Sequence, residues 1–230
     1  MKRDTLHLLL TDRESERPIV LATRLDTGDQ VLIRPNEAGD SVPVPLRDAA
    51  TSAVASDRSS ATAIDGVDYF MLVFNPPVQV VLVGAVHIAQ PLCQMAVAVG
   101  LRVVLVDPRE AFATEERFPG VHLVRAWPDE AFADLRLDRR TAVVTLSHDP
   151  KFDDPALELT LRSPAFYIGA LGSRRTHAKR CARLEEVGFT QQDLDRIHGP
   201  VGLDIGARTP GEIAVSVMAE LIGSLRANSS

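Results

Sequence analysis

VVLVGAVHIAQPLCQMAVAVGLRVVLVD, residues 80–107, is the stretch that decides the fold of this chain. It contains an apolar run typical of a buried strand, a tight turn at Gly84, an amphipathic helical segment, and a second apolar run that ends at Asp107. This order is typical of the first βαβ unit of a nucleotide-binding α/β sheet. Val86 replaces the second glycine of the dinucleotide fingerprint, and its branched side chain would occupy the space where backbone touches a pyrophosphate. The stretch therefore predicts the scaffold and disfavours its ordinary dinucleotide ligand.

Apolar strands and helical segments alternate through the rest of the chain. Strands are predicted at residues 78–84, 102–107, 121–125, 141–146, 165–169 and, from a weaker pattern, 201–204. A final helix is predicted from Pro210, with Thr209 as its N-cap and Glu212 completing a capping box. Near-continuous apolar strands separated by helices are typical of a parallel sheet that is covered on both faces. We therefore predict an α/β, Rossmann-like C-terminal domain over residues 76–230.

The N-terminal part is patterned differently and is predicted to be a smaller α+β domain, residues 1–75. A helix is predicted over residues 5–13, and strands over 19–24, 31–35 and 69–74, with a small-residue stretch over 49–63 left unassigned. Asp26-Thr27-Gly28-Asp29 has the turn residues of a hairpin. Asn75-Pro76-Pro77 follows the last of these strands, and adjacent prolines cannot continue a ladder, so the domain boundary is predicted there.

Composition excludes several classes of protein. The chain has 230 residues and a net charge of -6, which argues against a nucleic-acid binder. It has no run of about 18 apolar residues that would span a membrane. The apolar stretch near the N-terminus is too short for a secretory signal, so we expect a cytoplasmic protein. Its two cysteines, Cys93 and Cys181, form neither a disulfide framework nor a CxxC metal site, and no metal site is predicted.

Ligands of open parallel sheets bind at the carboxyl ends of the strands, beside helix N-termini. This rule selects a first group of candidates at the turn after the first strand: Gly84, Ala85, Val86 and His87. His87 is predicted at the helix start, where it either points a ring nitrogen at an anion or is a solvated capping residue. Asp107 lies near the position where dinucleotide folds hold a ribose hydroxyl. Arg109 is predicted to pair either with Asp107 or with a phosphate.

Ser147 and His148 form a second group, at the end of the fourth strand of the parallel sheet. With Asp149 they resemble a hydrolytic triad in composition only, because neighbouring side chains on an extended segment diverge. We predict that Ser147 and His148 line a ligand site.

A third group follows the fifth strand and consists of Gly169, Gly172, Ser173, Arg174 and Arg175. The serine is suited to cap the next helix, and the two arginines lie in its first turn, where the helix dipole disfavours cations. Such a placement predicts an anionic ligand. Lys179, Arg180 and Arg183 are predicted to extend the positive face, the alternative being a solvated basic helix.

Asp204, between Gly202 and Gly206, is the fourth candidate. Its carboxylate is placed to contact an amine or hydroxyl group of a ligand. The alternative is that the glycines only shape a turn.

The motifs together resemble the XdhC/CoxI family of xanthine dehydrogenase accessory proteins. The resemblance covers residues 78–222 and rests on five segments in order: VLVGAVHIAQPL, VDPREAFATEERFPG, VVTLSHDPKFDDPAL, FYIGALGSRRTHAKR and RIHGPVGLDIGARTPGEIAVSVMAEL. It implies a Rossmann-type domain behind a smaller one. Many members have a glycine at the position of Val86. Some have an N-terminal cysteine beside glycines, whereas no cysteine precedes Cys93 here.

The resemblance implies a cofactor-binding chaperone rather than an enzyme. Such a protein binds molybdenum cofactor (molybdopterin) transiently, protects it while a cysteine desulfurase supplies its terminal sulfur, and delivers it to the large subunit of a xanthine dehydrogenase-type molybdenum hydroxylase. It also implies a homodimer. The helix starts at His87 and Ser173, with Arg174 and Arg175, would hold the cofactor phosphate. Asp107, His148 and Asp204 would face the pterin edges.

Two other functions fit the same fold. One is an oxidoreductase that uses NAD or NADP, with His148 as proton donor, which Val86 disfavours. The other is a docking subunit whose nucleotide fold only provides a protein interface, which the arginine-rich helix start disfavours.

Overall fold

The structure is a computed structural model, which describes residues 3–35, 37 and 42–227. They form two compact units, which divide between Pro76 and Pro77. No helix among the described residues is long and apolar enough to cross a membrane.

The first unit contains a four-stranded antiparallel sheet in the order β2-β1-β4-β3. Its elements are α1 (Arg3–Glu14), β1 (Ile19–Arg24), β2 (Gln30–Ile33), α2 (Val44–Ala55), β3 (Ser60–Ile64) and β4 (Val67–Phe74). The predicted hairpin is confirmed, because β1 and β2 pair around a turn in which Gly28 has a φ of 75°. The unassigned small-residue stretch overlaps α2 and β3, and α2 packs Leu46 and Ala50 against Met71 of the sheet.

The second unit is a six-stranded parallel sheet in the order β10-β9-β8-β5-β6-β7. Its strands are β5 (Gln79–Val83), β6 (Arg102–Val106), β7 (His122–Val124), β8 (Thr141–Thr145), β9 (Tyr167–Ala170) and β10 (Ile197–His198). Its helices are α3 (Ala89–Ala98), α4 (Pro128–Asp134), α5 (Pro150–Leu161), α6 (Arg174–Glu186), α7 (Gln191–Leu194) and α8 (Pro210–Ala227). This strand order is that of the Rossmann fold, with its switch point between β5 and β8. The predicted fold class is confirmed.

Both faces of the parallel sheet are buried, which explains the continuous apolar sequence of β5. Val80 and Leu82 pack on the side of α3 and α8, whereas Val81 and Val83 pack on the side of α4 and α5. Because successive side chains point to opposite faces, all four are removed from water. Burial of each such side chain stabilises the fold by about 1.5–3 kcal/mol.

The last strand of the sheet was predicted in the wrong place. The structure has β10 at Ile197–His198, beside β9, and not at residues 201–204. Pro200 has no N–H to donate, so the ladder ends before it. Gly202 lies against α8 instead, where an added Cβ would be 2.4 Å from Ser216 Oγ.

Candidate functional site

The carboxyl ends of the six parallel strands form one rim of the second unit, and its centre is the switch point between β5 and β8. Gly84 follows β5 with a φ of 107°. A Cβ at Gly84 would lie 3.3 Å from the main-chain nitrogen of Ser147, which follows β8. The turns after the two strands therefore lie in close contact, and only a residue without a side chain suits this position.

Asp107, at the end of β6, is fully buried and its carboxylate is saturated by protein donors. Oδ2 accepts from Ala85 N at 2.7 Å and from Arg109 Nη2 at 2.6 Å, and Oδ1 accepts from Arg109 N and Nε at 2.9 Å each. Burial acts to raise the pKa of Asp107, but the bonds from Arg109 and the main chain outweigh it and hold the pKa below its usual value. Arg109 thus pairs with Asp107, and a ribose hydroxyl would have to displace one of these donors.

Arg109 is also fixed by aromatic rings. Its guanidinium carbon lies 4.6 Å from the ring centroid of Phe112 and 4.9 Å from that of Phe152. Phe152 stacks in turn on Trp127, with centroids 4.8 Å apart. These four residues, the Arg109 cluster, place a partly exposed cation against aromatic rings at the rim beside β6 and β7.

Two of the long helices that begin at this rim have N-termini already occupied by acidic side chains. Asp149 caps α5 by accepting from Lys151 N at 3.0 Å. Glu212, in the first turn of α8, accepts from the main-chain nitrogens of Arg208 and Thr209 at 2.7 and 2.9 Å. The predicted capping box is confirmed, since Glu212 N donates to Thr209 Oγ1 at 3.3 Å. At both termini an acidic side chain already lies where an external anion would bind.

The N-terminus of α3 has no acidic residue in its first turn. The helix begins at Ala89, so His87 lies in a turn before the helix and not in its first position; it is exposed. The main-chain N–H groups of Val86, His87 and Ile88 donate to no residue that the structure describes. Val86 is half-buried and packs against the core. This terminus therefore offers free donors to an anion at the switch point.

The N-terminus of α6 also lacks acidic residues and carries two free cations. Ser173 caps the helix, its Oγ accepting from Thr176 N at 3.2 Å. Arg174 and Arg175 are exposed, and neither forms a hydrogen bond or an ion pair within the part of the chain that the structure describes. Cations at a helix N-terminus are destabilising unless an anion joins them, so this turn has the electrostatics of an anion site.

The basic residues farther along α6 do not extend this positive face as predicted, apart from exposed Lys179. Arg180 is 1% exposed and its Nη2 donates to Asp153 Oδ2 at 3.0 Å. Arg183 donates to both carboxylate oxygens of Asp154, with Nη2–Oδ1 at 2.8 Å. Both arginines are neutralised by α5, a contact between residues 27 and 29 positions apart that sequence spacing does not show.

The buried Asp153 makes stability depend on pH. Burial raises the pKa of Asp153 to about 6, with the charge of Arg180 opposing the rise. Because the folded state then binds a proton that the unfolded state has released, this group's contribution to the free energy of unfolding falls as pH rises from about 4 to about 6. We expect Asp153→Asn to remove that fall, as measured by denaturant unfolding at pH 4.5, 5.5 and 6.5. An unchanged slope in the variant would contradict the assignment.

The remaining predicted residues differ in their access to the rim. Ser147 is buried and its Oγ accepts from Asp149 N at 2.9 Å, whereas His148 beside it is exposed. Gly169 lies inside β9, where an added Cβ would be 2.6 Å from Val201. Gly172 packs on Thr176 and has a φ of 144°. Asp204 is exposed. Only His148 and Asp204 of this group present a charged or titratable side chain to solvent.

A polar network around Glu220 was missed by the sequence reasoning. Glu220 Oε2 accepts from Tyr167 Oη at 2.5 Å and from Gly202 N at 2.8 Å. Its other oxygen lies 3.3 Å from His198 Nδ1. Tyr167 begins β9, so the network ties α8 to the amino end of that strand, and no local pattern marks a contact 53 residues apart.

Cys93 and Cys181 are both free cysteines. Cys93 is buried in α3, and burial raises the pKa of its thiol to about 12. Among the described residues, no group of three His, Cys, Asp or Glu side chains could hold a metal ion.

The sequence profile of the XdhC Rossmann domain matches residues 80–221. The chain is 38% identical over 100 residues to the molybdenum cofactor insertion chaperone PaoD of Escherichia coli, covering 44% of this chain and 31% of PaoD. It is 32% identical over 154 residues to a probable xanthine dehydrogenase subunit of Bacillus subtilis, covering 66% of this chain and 44% of that protein. The chain thus spans less than half the length of these relatives.

A solved structure has the same fold. The crystal structure of a xanthine dehydrogenase from Bacillus halodurans superposes with a TM-score of 0.72 at 21% identity, covering 98% of this chain and 67% of the other.

Proposed function

The chain belongs to the XdhC family, matched over residues 80–221, and on that premise we propose that it binds molybdenum cofactor and delivers it to a molybdenum hydroxylase of the xanthine dehydrogenase type. Two relatives support the proposal, one named as a molybdenum cofactor insertion chaperone and the other as a probable subunit of xanthine dehydrogenase. In this proposal the protein is a carrier and not an enzyme.

The observation that carries the proposal is the pair of unpartnered arginines at the start of α6. Arg174 and Arg175 stand at a helix N-terminus with no acidic residue in its first turn, unlike α5 and α8. Molybdenum cofactor is a pterin that bears a phosphate, so it needs such an anion site. The residues present fit the group: the guanidinium groups and the free N–H groups at the start of α6 would hold the phosphate.

The site extends from α6 towards the switch point. Exposed His148 follows β8, which lies in the sheet between β5 and β9. The turns that lead to α3 and α6 lie at the same rim, two strand positions apart, with α3 packed on one face of the sheet and α6 on the other. The free N–H groups of Val86 and His87 would bind polar pterin atoms there, with His148 between them and Asp204 at the edge. Asp107 and Arg109 are bound to each other, so their role is to fix the turn at Ala85.

Burial raises the pKa of both thiols of the chain, Cys93 and Cys181. The thiol of Cys93 is buried and its raised pKa keeps it protonated, so it is unsuited to carry sulfur. We propose that a separate cysteine desulfurase supplies the sulfur while this chain shields the bound pterin.

A binding comparison tests the function against the NAD(P)-dependent oxidoreductase alternative. Purified protein is titrated calorimetrically with molybdenum cofactor, NAD and NADP, and the bound molybdenum is measured after gel filtration. We expect cofactor to be retained and both dinucleotides to give no saturable heat, because Val86 and the engaged carboxylate of Asp107 disfavour them. Dinucleotide binding without molybdenum uptake would contradict the carrier function, and binding of none of the three would favour a docking subunit.

A further inference from the structure

Arg180 connects the anion-binding turn to the neighbouring helix. Its Nη2 donates both to Asp153 Oδ2 at 3.0 Å and to the main-chain carbonyl of Leu171 at 2.9 Å. Leu171 is the first residue after β9, and its N–H donates to Thr145 O of β8 at 2.8 Å. The turn that leads to Arg174 is therefore held from both sides, by β8 through its N–H and by Arg180 through its carbonyl.

This connection also reaches the other loop of the proposed site. Asp153 lies in the first turn of α5, and the N-cap of that helix, Asp149, donates its N–H to Ser147 Oγ at 2.9 Å. Ser147 precedes exposed His148. A single path of contacts thus runs from the end of β8, through α5 and Arg180, to the turn before α6.

The pair is buried and only partly satisfied. Arg180 and Asp153 are each 1% exposed. Nε and Nη1 of Arg180, Oδ1 of Asp153 and the hydroxyl of Thr145 have no hydrogen-bond partner among the described residues. Replacing a buried ion pair by apolar side chains is often neutral or stabilising. Stability alone therefore does not explain why this buried arginine donates to the main-chain carbonyl of Leu171.

We propose that Arg180 is a positioning residue for the cofactor site: with Asp153 it fixes the turn at Leu171 so that the start of α6 presents its N–H groups, Arg174 and Arg175 in one arrangement to the anion. This inference rests on the proposed function and adds a determinant of ligand affinity that does not touch the ligand. The long, planar guanidinium suits the task, because it places one nitrogen with two N–H donors, Nη2, between the carboxylate and the carbonyl, a position that the shorter lysine side chain does not reach in the same geometry.

The test separates positioning from folding. Asp153→Leu/Arg180→Met replaces the pair by apolar side chains of similar total volume, and Arg180→Lys keeps the charge but loses the longer planar group that places Nη2. The matched control is Asp154→Ala/Arg183→Ala, which removes the neighbouring pair between the same two helices without touching the turn. Sulfate, whose charge is constant near neutral pH, is the probe for affinity at pH 7.5, and amide hydrogen exchange at Leu171, whose N–H donates to Thr145 O, reports the order of the turn.

We expect both Arg180 variants to bind sulfate about tenfold more weakly, the change in affinity that the net contribution of about one hydrogen bond produces. Amide exchange at Leu171 should accelerate by about the same factor, with the control unchanged in both measurements. A folded Asp153→Leu/Arg180→Met protein with the affinity and exchange of the wild type would overturn the proposal, and so would wild-type behaviour of Arg180→Lys. If the wild type bound neither sulfate nor cofactor, the proposed function would fail, while amide exchange would still decide the role of Arg180.

Discussion

Replacing Arg174 and Arg175 together by alanine is expected to weaken the binding of molybdenum cofactor by about two orders of magnitude. Each charge-assisted hydrogen bond contributes about 1.5–3 kcal/mol, and a tenfold change in affinity corresponds to about 1.4 kcal/mol. Both side chains are exposed and have no partner among residues 3–35, 37 and 42–227, so their removal costs the fold little. Calorimetric titration with the cofactor measures the loss, and the molybdenum that copurifies with the protein gives a second measure.

Lys179→Ala is the matched control for this variant. Lys179 is an exposed cation on the same helix, beyond its first turn. We expect its replacement to change affinity by less than about twofold, because screening at physiological salt weakens charges beyond about 8 Å. If Arg174→Ala/Arg175→Ala retained cofactor as well as Lys179→Ala does, the anion site would not lie at α6.

Asp107→Ala is expected to have the largest effect on stability, lowering the free energy of unfolding by about 3 kcal/mol. The carboxylate of Asp107 accepts four hydrogen bonds at the end of β6, which is buried from Val103 to Val106. Its removal leaves Ala85 N without a partner and Arg109 without its counter-charge. Denaturant unfolding followed by circular dichroism measures the change, and cofactor affinity should fall with it because the turn at Ala85 loses its anchor.

The stabilisation that Asp107 gives to the wild type depends on pH in a defined direction. The folded-state pKa of Asp107 is below its ordinary value of 3.8, so its stabilisation is present above that pH and is lost as pH falls further. The difference between wild type and Asp107→Ala should therefore shrink in acid. Asp154→Ala, which breaks the more exposed pair with Arg183, is the control and should cost no more than about 1 kcal/mol. Equal losses in the two variants would contradict the importance assigned to Asp107.

The sequence predicted the Rossmann-like fold because the deciding signals are local. Val80 to Val83 form a continuous apolar run, and the capping box at Thr209 needs only four neighbouring residues. The last strand was wrong because Val201 is as apolar as Ile197, and Val201 also donates its N–H to Ala170 of β9, but the ladder with β9 is formed by Ile197 and His198. In the small-residue stretch, residues 49–63, the two faces of a helix would differ little in hydropathy, so the sequence did not predict α2.

The site was predictable only where it depends on strand ends and helix starts. Arg174 and Arg175 lie at a helix N-terminus, as their sequence context indicated. Arg180 looked identical to them in sequence, yet it is buried against Asp153. The choice between Asp107 and a phosphate for Arg109 was likewise open until the geometry placed the two side chains together. The spacing of residues in the sequence does not show which charged side chains from distant elements form a pair.

The Arg109 cluster gives the protein a built-in spectroscopic probe. Trp127 is the single tryptophan of the chain, and it stacks on Phe152 at the rim while remaining 42% exposed. Indole emission is sensitive to the polarity and rigidity of its surroundings, and excitation at long wavelength avoids the tyrosines. A change in emission wavelength or anisotropy during a titration with a non-absorbing anion would therefore come from this one corner of the molecule, without any label.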